Sequence, residues 1–186
     1  MYQLLNRFSA LVLIIVFSPF LIIFSILIFL DDGYPIFFNQ ERIGRNNTKF
    51  IVFKFRTMKI NTPNIATHLM ESPDQYYTRF GIYFRKFSID ELPQLINIIC
   101  GDMFFVGPRP ALYNQLDLIK LRTDKKIHKL FPGVTGWAQV NGRDSISIKE
   151  KVSFDEFYLK NKNFILDLKI IFKTMTQLFN HKNVAH

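Results

Sequence analysis

The sequence predicts a mostly helical α+β protein with a small strand element, held at a membrane by its N-terminal helix. Three observations carry this. An uncharged apolar run covers 23 residues from Phe8 to Leu30, about 35 Å as a helix and enough to cross a hydrocarbon core of roughly 30 Å. Two short runs of aromatic and β-branched residues, Ile36-Phe37-Phe38 and Phe50-Ile51-Val52-Phe53-Lys54-Phe55, flank a basic stretch from Glu41 to Asn47, the pattern of two strands joined by a turn. Near the C-terminus Phe164, Leu168, Ile171, Phe172, Met175, Leu178 and Phe179 recur at helical spacing.

Composition agrees. With 186 residues, 48% hydrophobic and 21 of them Phe, the chain holds one core-bearing domain plus an anchor. Lys and Arg number 24 against 15 acids, and only Arg7 among all of these precedes Asp31. A basic surface of this kind meets anionic lipid, nucleic acid or phosphorylated small molecules. Phe-rich runs favour lipid, and the dispersal of the basic residues argues against nucleic acid. Cys100 is the single cysteine, which excludes an intrachain disulfide; Ile98 and Ile99 beside it predict a packed thiol. The four His residues are scattered without ligand spacing, so no zinc site is expected.

The elements follow in order. Residues 1–30 are expected to form the membrane segment and 31–186 a single further domain on the cytoplasmic face. The apolar region is too long for a cleavable signal peptide. Pro19 cannot donate to the Ile15 carbonyl, which predicts a kink at Ser18-Pro19, with the Ser18 hydroxyl available to the freed backbone. Basic residues stay on the cytoplasmic side. A single crossing puts Arg7 outside, whereas a helix that enters, bends and returns keeps it inside; the residues alone leave both open. Asp31 to Pro35 ends the run with turn residues, and the two strands come next. Asn61 to Asp74, with Pro63 and Pro73, reads as loop with a short helical piece. Leu112 to Leu130 reads as a basic amphipathic helix, suited equally to a membrane surface and to a solvated face over a core. Pro132 to Trp137 is a turn-rich break, Lys149 to Asn161 a helix, and the final stripe a core-facing helix that at a membrane also contacts lipid.

The chemistry concentrates in Ser88-Ile89-Asp90-Glu91-Leu92-Pro93-Gln94-Leu95 and Gly107-Pro108-Arg109-Pro110. Ser88 to Glu91 matches a capping box. Pro93 opposes that register and favours Asp90 as the N-cap, with its carboxylate at the positive helix end. Asp90, Gln94 and Asn97 then share a face. Arg79, Arg85, Arg109 and Arg143 are candidates for phosphate oxygens, since a guanidinium offers a bidentate fork, and Pro108 and Pro110 stiffen the chain around Arg109. Adjacent carboxylates among arginines allow two chemistries. Asp90 attacks phosphorus and forms an acyl phosphate, or both acids hold Mg2+ while water attacks. Walker A and Gly-x-Gly-x-x-Gly patterns are absent.

Over nearly its whole length the chain resembles the bacterial sugar transferases, the monotopic phosphoglycosyl transferases. The shared blocks are Ser18-Pro19, Gln40 to Gly44, Lys54 to Met58, Asp90 to Leu95, Gly101-Asp102-Met103, Val106 to Pro110, Pro132 to Arg143, Asp155, Tyr158 and Asp167. The resemblance implies a monotopic protein with a re-entrant helix and amphipathic interfacial helices on the cytoplasmic face of the bacterial inner membrane. It implies a ping-pong reaction in which Asp90 takes a sugar phosphate from a UDP-sugar, releases UMP and passes the group to polyprenyl (undecaprenyl) phosphate. Glu91 and Mg2+ assist, Asp90 and Glu91 are the expected metal ligands, and Arg85, Arg109, Arg143 and Pro108 form the expected phosphate site. A homodimer is compatible with it. The chain departs from the family pattern at Asp74-Gln75-Tyr76-Tyr77, where an Asp-Pro-Arg-like turn is usual, at Phe104, and at Lys162-Asn163. The competing functions are a membrane-bound metal-dependent phosphodiesterase and a non-catalytic membrane scaffold; intact acids and arginines weigh against the scaffold.

Overall fold

A computed structural model describes residues 2–62, 73–142 and 146–179. The chain runs through helix α1 (Tyr2–Asp32), strands β1 (Phe37–Ile43) and β2 (Lys49–Phe55), helices α2 (Gly81–Lys86) and α3 (Gln94–Cys100), strands β3 (Phe104–Val106) and β4 (Ala111–Leu112), helix α4 (Leu116–Asp124), strand β5 (Gly133–Thr135), and helices α5 (Trp137–Val140), α6 (Ile148–Asn161) and α7 (Phe164–Phe179). The architecture is mostly helical with two small sheets.

Helix α1 is apolar on both faces, but the faces do different work. On the inner face Ala10 packs with Leu95, Ile98 and Met103, and Ile28 packs with Phe55 and Phe84. Polar contacts fasten the ends. Asn6 Oδ1 accepts from the Phe105 N–H at 3.1 Å, and Arg7 donates to the Cys100 carbonyl at 2.9 Å. At the other end Arg56 donates to the Asp32 carboxylate at 2.6 Å and to the Gly33 carbonyl at 2.7 Å, while Asp31 accepts from the Phe80 N–H. On the outer face Leu4, Phe8, Ile15, Val16, Phe20 and Phe29 are exposed. A 31-residue helix is about 46 Å long, and both of its ends rest on the same domain. Pro19 lies inside it. The Ser18 hydroxyl donates to the Ile15 carbonyl at 2.8 Å, supplying a donor to the group that Pro19 leaves without one.

Strand β1 pairs antiparallel with β2, from Phe37 opposite Phe55 to Ile43 opposite Lys49, and with β4 on its other side. The first strand is longer than expected, so Arg42 lies in the sheet and the turn is confined to Gly44–Thr48. Asn46 and Asn47 there take positive φ, which asparagine tolerates because its side chain bonds locally. The parallel pair β3–β5 was not anticipated: three-residue strands distant in sequence leave little periodic signal. It depends on close backbone approach, since a Cβ on Gly107 would collide with the Phe131 carbonyl.

Three expectations are corrected. The helix read from Leu112 to Leu130 is shorter. Ala111 and Leu112 pair with β1 instead, and Lys126 takes positive φ after α4, ending the regular helix. Cys100 is exposed, not packed: Ile98 is fully buried, and two residues on, about 200° around the helix, the chain faces outward. The apolar stripe of α7 does not face the core. Phe164, Leu168, Phe172 and Met175 are exposed, while Asp167 and Ile170 are buried. The inner face packs Ile170 and Leu166 against Val106, Val140 and Tyr158, with polar contacts beside them: Thr174 with Thr135, Gln177 with the Val140 carbonyl, and Asp167 with the Tyr158 hydroxyl at 2.7 Å. Of the loop expected over 61–74, residues 63–72 lie outside the described residues, and Pro73–Tyr76 form a 3-10 turn.

Candidate active site

Asp90 and Glu91 lie in a short 3-10 turn, Ile89–Glu91, and α3 begins only at Gln94. Neither expected cap forms. Ser88 takes a left-handed conformation and makes no side-chain cap bond, and the helix starts after Pro93, which has no N–H to give to a ladder. The turn is held against strand β2 through Asn97. Its side chain accepts from the Phe53 N–H at 3.1 Å and donates to the Ile51 carbonyl at 2.6 Å. Asn97 is therefore a structural residue, although the sequence places it on the same face as Asp90.

That docking brings Lys54 under the acids. Its Nζ lies 2.7 Å from Glu91 Oε1 and 4.0 Å from Asp90 Oδ2. Arg109 reaches the same Glu91 oxygen at 3.1 Å. The Arg109 backbone is braced from behind: Arg122 donates to its carbonyl at 2.8 Å and to the buried Asp155 carboxylate at 2.6 Å. Pro108 is buried and its carbonyl accepts from the Gly133 N–H. Having no N–H, it cannot donate to a phosphate; its contribution is to place Arg109. Arg85 sits over the Tyr77 ring, 5.4 Å from the centroid, a cation–π arrangement, and its charge is felt at Asp90. Arg79 is exposed, and Arg143 lies outside the described residues.

The two carboxyls differ in acid strength. Asp90 is 8% exposed. Burial pushes it up to about 6, with Lys54 opposing and the Glu91 charge reinforcing the shift. Burial works against ionisation of Glu91 too, but Lys54 and Arg109, both bonded to it, hold it well below the usual carboxylate range. One acid is thus a fixed anion tied to two cations; the other is the more basic and more loosely held.

Mg2+ suits this donor set in one way only. Among the described residues no group of three His, Cys, Asp or Glu gathers into a site. Mg2+ characteristically takes one or two carboxylates and completes its shell with substrate phosphates and water. Asp90 and Glu91 fit that arrangement.

Sequence reasoning missed Lys54 and Arg122 as members of this assembly, and it placed Asn97 beside Asp90 without its structural role on β2. A lysine between Phe53 and Phe55 in an apolar strand was the one available signal for Lys54. Nothing local marks Arg122 as buried beside Asp155.

Comparison with known proteins adds family context. The sequence model of the bacterial sugar transferases matches residues 1–181. An uncharacterized sugar transferase, EpsL of Bacillus subtilis (strain 168), is 40% identical over 174 residues, covering 91% of this chain and 83% of EpsL. The UDP-N-acetylgalactosamine-undecaprenyl-phosphate N-acetylgalactosaminephosphotransferase of Aeromonas hydrophila is 36% identical over 176 residues, covering 90% of this chain and 41% of that protein. The UDP-glucose:undecaprenyl-phosphate glucose-1-phosphate transferase of Escherichia coli (strain K12) is 34% identical over 191 residues, covering 97% of this chain and 41% of that protein. The chain spans less than half the length of the last two and most of EpsL.

Proposed function

The chain belongs to the bacterial sugar transferase family, a family of enzymes, and from that premise we propose that it moves a sugar 1-phosphate from a UDP-sugar to undecaprenyl phosphate. UMP and a polyprenyl-diphospho-sugar are the products, and the reaction is the first membrane step of glycoconjugate synthesis. The observation that carries the mechanism is the divergence of the two carboxyls. Glu91, bonded to two cations, is a poor nucleophile, whereas Asp90 keeps basicity and, among the described residues, has its nearest ion-pair partner at 4.0 Å.

In the first half-reaction an Asp90 oxygen attacks the β-phosphorus of the donor. The bond to the UMP oxygen breaks, and UMP departs with its electron pair. In the second, an oxygen of the acceptor phosphate attacks the same phosphorus and the Asp90 carboxylate is released unchanged. Arg109, Arg85 and Lys54 offset the diphosphate charge in a site where little water screens it. Glu91 fixes Lys54 and Arg109 in place. Asp90 and Glu91 would hold Mg2+ together with the donor diphosphate, where it would neutralise charge on the phosphoryl oxygens.

The membrane reading rests on α1 and α7. Packing of α1 along the domain over its length, with Arg7 and Asp32 both tied to that domain, supports a re-entrant, monotopic arrangement. A perpendicular crossing would draw α3 and β2 into the hydrocarbon. The exposed apolar faces of α1 and α7 supply the lipid contact, and the site then lies at headgroup depth on the cytoplasmic side of the inner membrane.

The test uses the full chain in lipid nanodiscs with Mg2+, a panel of UDP-sugars and undecaprenyl phosphate, reading UMP release. Acceptor-dependent UMP release from one sugar, lost in Asp90→Asn, is the expected result. Water-driven UMP or sugar-phosphate release that Asp90→Asn retains would replace the transferase with a metal-dependent phosphodiesterase.

A further inference from the structure

Tyr77, in the segment that leads into α2, is 6% exposed, and among the described residues its hydroxyl finds no hydrogen-bond partner. It belongs to the stretch Asp74-Gln75-Tyr76-Tyr77, where the chain departs from the family pattern. A buried hydroxyl left unbonded costs stability, so what this position offers its neighbours is the ring.

Backbone contacts fix where that ring lies. The chain leaving β2 pairs with the chain entering α2. Met58 and Tyr77 form an antiparallel bridge. On one side of it the Lys59 N–H donates to the Tyr76 carbonyl at 2.7 Å, and on the other the Thr78 N–H donates to the Thr57 carbonyl at 3.1 Å. Gly81 opens α2 against that same Thr57 carbonyl, so closely that a Cβ there would collide with it. Arg85, one turn along α2, is thereby set over the Tyr77 ring with its Cζ 5.4 Å from the centroid. The Met58 sulfur lies 4.0 Å from Arg85 Nη1, so both residues of the bridge meet the guanidinium.

Arg85 in turn favours ionised Asp90, and the Asp90 charge is felt at the phenol. The three side chains form one neighbourhood. Burial pushes the Tyr77 phenol above its ordinary value, with Arg85 opposing and Asp74 and Asp90 reinforcing the shift. The ring therefore stays neutral and meets the guanidinium as a cation–π partner, not as a phenolate. A long arginine side chain loses rotamer freedom when it grips a phosphate. A ring that holds it beforehand removes part of that cost.

We propose that Tyr77 is a positioning residue whose ring holds Arg85 beside Asp90, ready for the donor's diphosphate, while its hydroxyl plays no part. The inference deepens the transferase reading, on which it rests. Strand β2 then serves the site twice: Lys54 stands directly beside the acids, and the chain just past the strand's end sets Arg85 through the Met58–Tyr77 bridge.

The experiment uses the full chain in nanodiscs with Mg2+. Calorimetry gives the Kd of UDP, the probe, and UMP release gives the donor KM. Tyr77→Leu should weaken UDP binding about tenfold and raise the donor KM in proportion. Tyr77→Phe should bring both back to within about twofold of the parent. Adding one, two and three fluorines to that Phe ring should weaken UDP binding stepwise, because fluorine drains negative charge from the ring face and barely changes its shape. In an Arg85→Gln background Tyr77→Leu should add nothing, since the pair acts as one. A tyrosine that merely fills space would give a flat fluorine series and additive losses, and either result overturns the proposal. So does a Tyr77→Phe as weak as Tyr77→Leu, which would make the hydroxyl the working group. Should Tyr77→Leu not fold, the fluorine series decides alone. UDP binding needs no turnover. Stepwise weakening without UMP release from any UDP-sugar would refute the transferase reading and leave the role of Tyr77 standing, and UMP release with a flat series would do the reverse.

Discussion

At Asp90, burial opposes the charge that the proposed chemistry needs. In the unfolded chain the carboxyl ionises near 3.8, and in the folded protein near 6. Between those values the unfolded state releases its proton first, so the folded state loses stability as pH rises from about 4 to 6 and does not recover it above. Asp90→Asn removes that penalty. The variant should be inactive yet more stable than the parent at pH 7.5, by about 1–3 kcal/mol, with the two converging near pH 4; urea unfolding at both pH values checks this. Lys54→Met acts in the opposite sense. It leaves Glu91 with Arg109 alone and removes the cation that most favours ionised Asp90. Stability should fall by about 1–3 kcal/mol and transfer by 10- to 100-fold or more, measured by urea midpoint and UMP release. The acids and Arg109 were readable in the sequence because paired carboxylates and a Pro-flanked arginine are local patterns. Lys54 was not, because a lysine in an apolar strand marks only an unusual position; its role depends on the docking of the acidic turn on β2 through Asn97, a long-range contact.

Among the elements, α7 separates what periodicity tells from what it does not. The spacing of Phe164, Leu168 and Phe172 correctly announced a helix with an apolar face. It carried no information about which side of the helix meets the protein. The inner side instead carries Ile170 together with Asp167, Thr174 and Gln177, each of the three bonded to the domain, polar members that hydrophobicity counting discards. A spin label at position 172, introduced as Phe172→Cys in a Cys100→Ser background, should be more accessible to oxygen than to a water-soluble nickel chelate in nanodiscs. The reverse order would mean that this face meets water or another protein. The acidic turn teaches a similar lesson: Ser88 to Glu91 fits the capping pattern, but Pro93 moves the start of α3 past it. In α1, by contrast, the Ser18 hydroxyl acted as read, donating to the carbonyl that proline leaves open.

For the whole molecule, one surface carries the exposed apolar face of α1, and Ile89, next to the acids, joins the cluster around Ile28 on its inner face. Arg7 and Asp32, near the two ends of α1, are fastened to one body, and the proposed monotopic arrangement therefore keeps both ends on one side of the bilayer. Cysteines placed at Gln3 and Tyr34 in the Cys100→Ser background should both react with an impermeant maleimide in inverted vesicles and in no right-side-out vesicle. Labelling from opposite sides would establish a spanning helix instead. The centre of the account is the covalent step at Asp90. Its direct test is intact-mass analysis of the full chain after brief exposure to UDP-sugar and Mg2+ without acceptor, followed by peptide mapping. The account predicts an added sugar phosphate on Asp90 that undecaprenyl phosphate discharges and Asp90→Asn never acquires. Transfer proceeding at full rate with no adduct, or with the adduct on another residue, would contradict it.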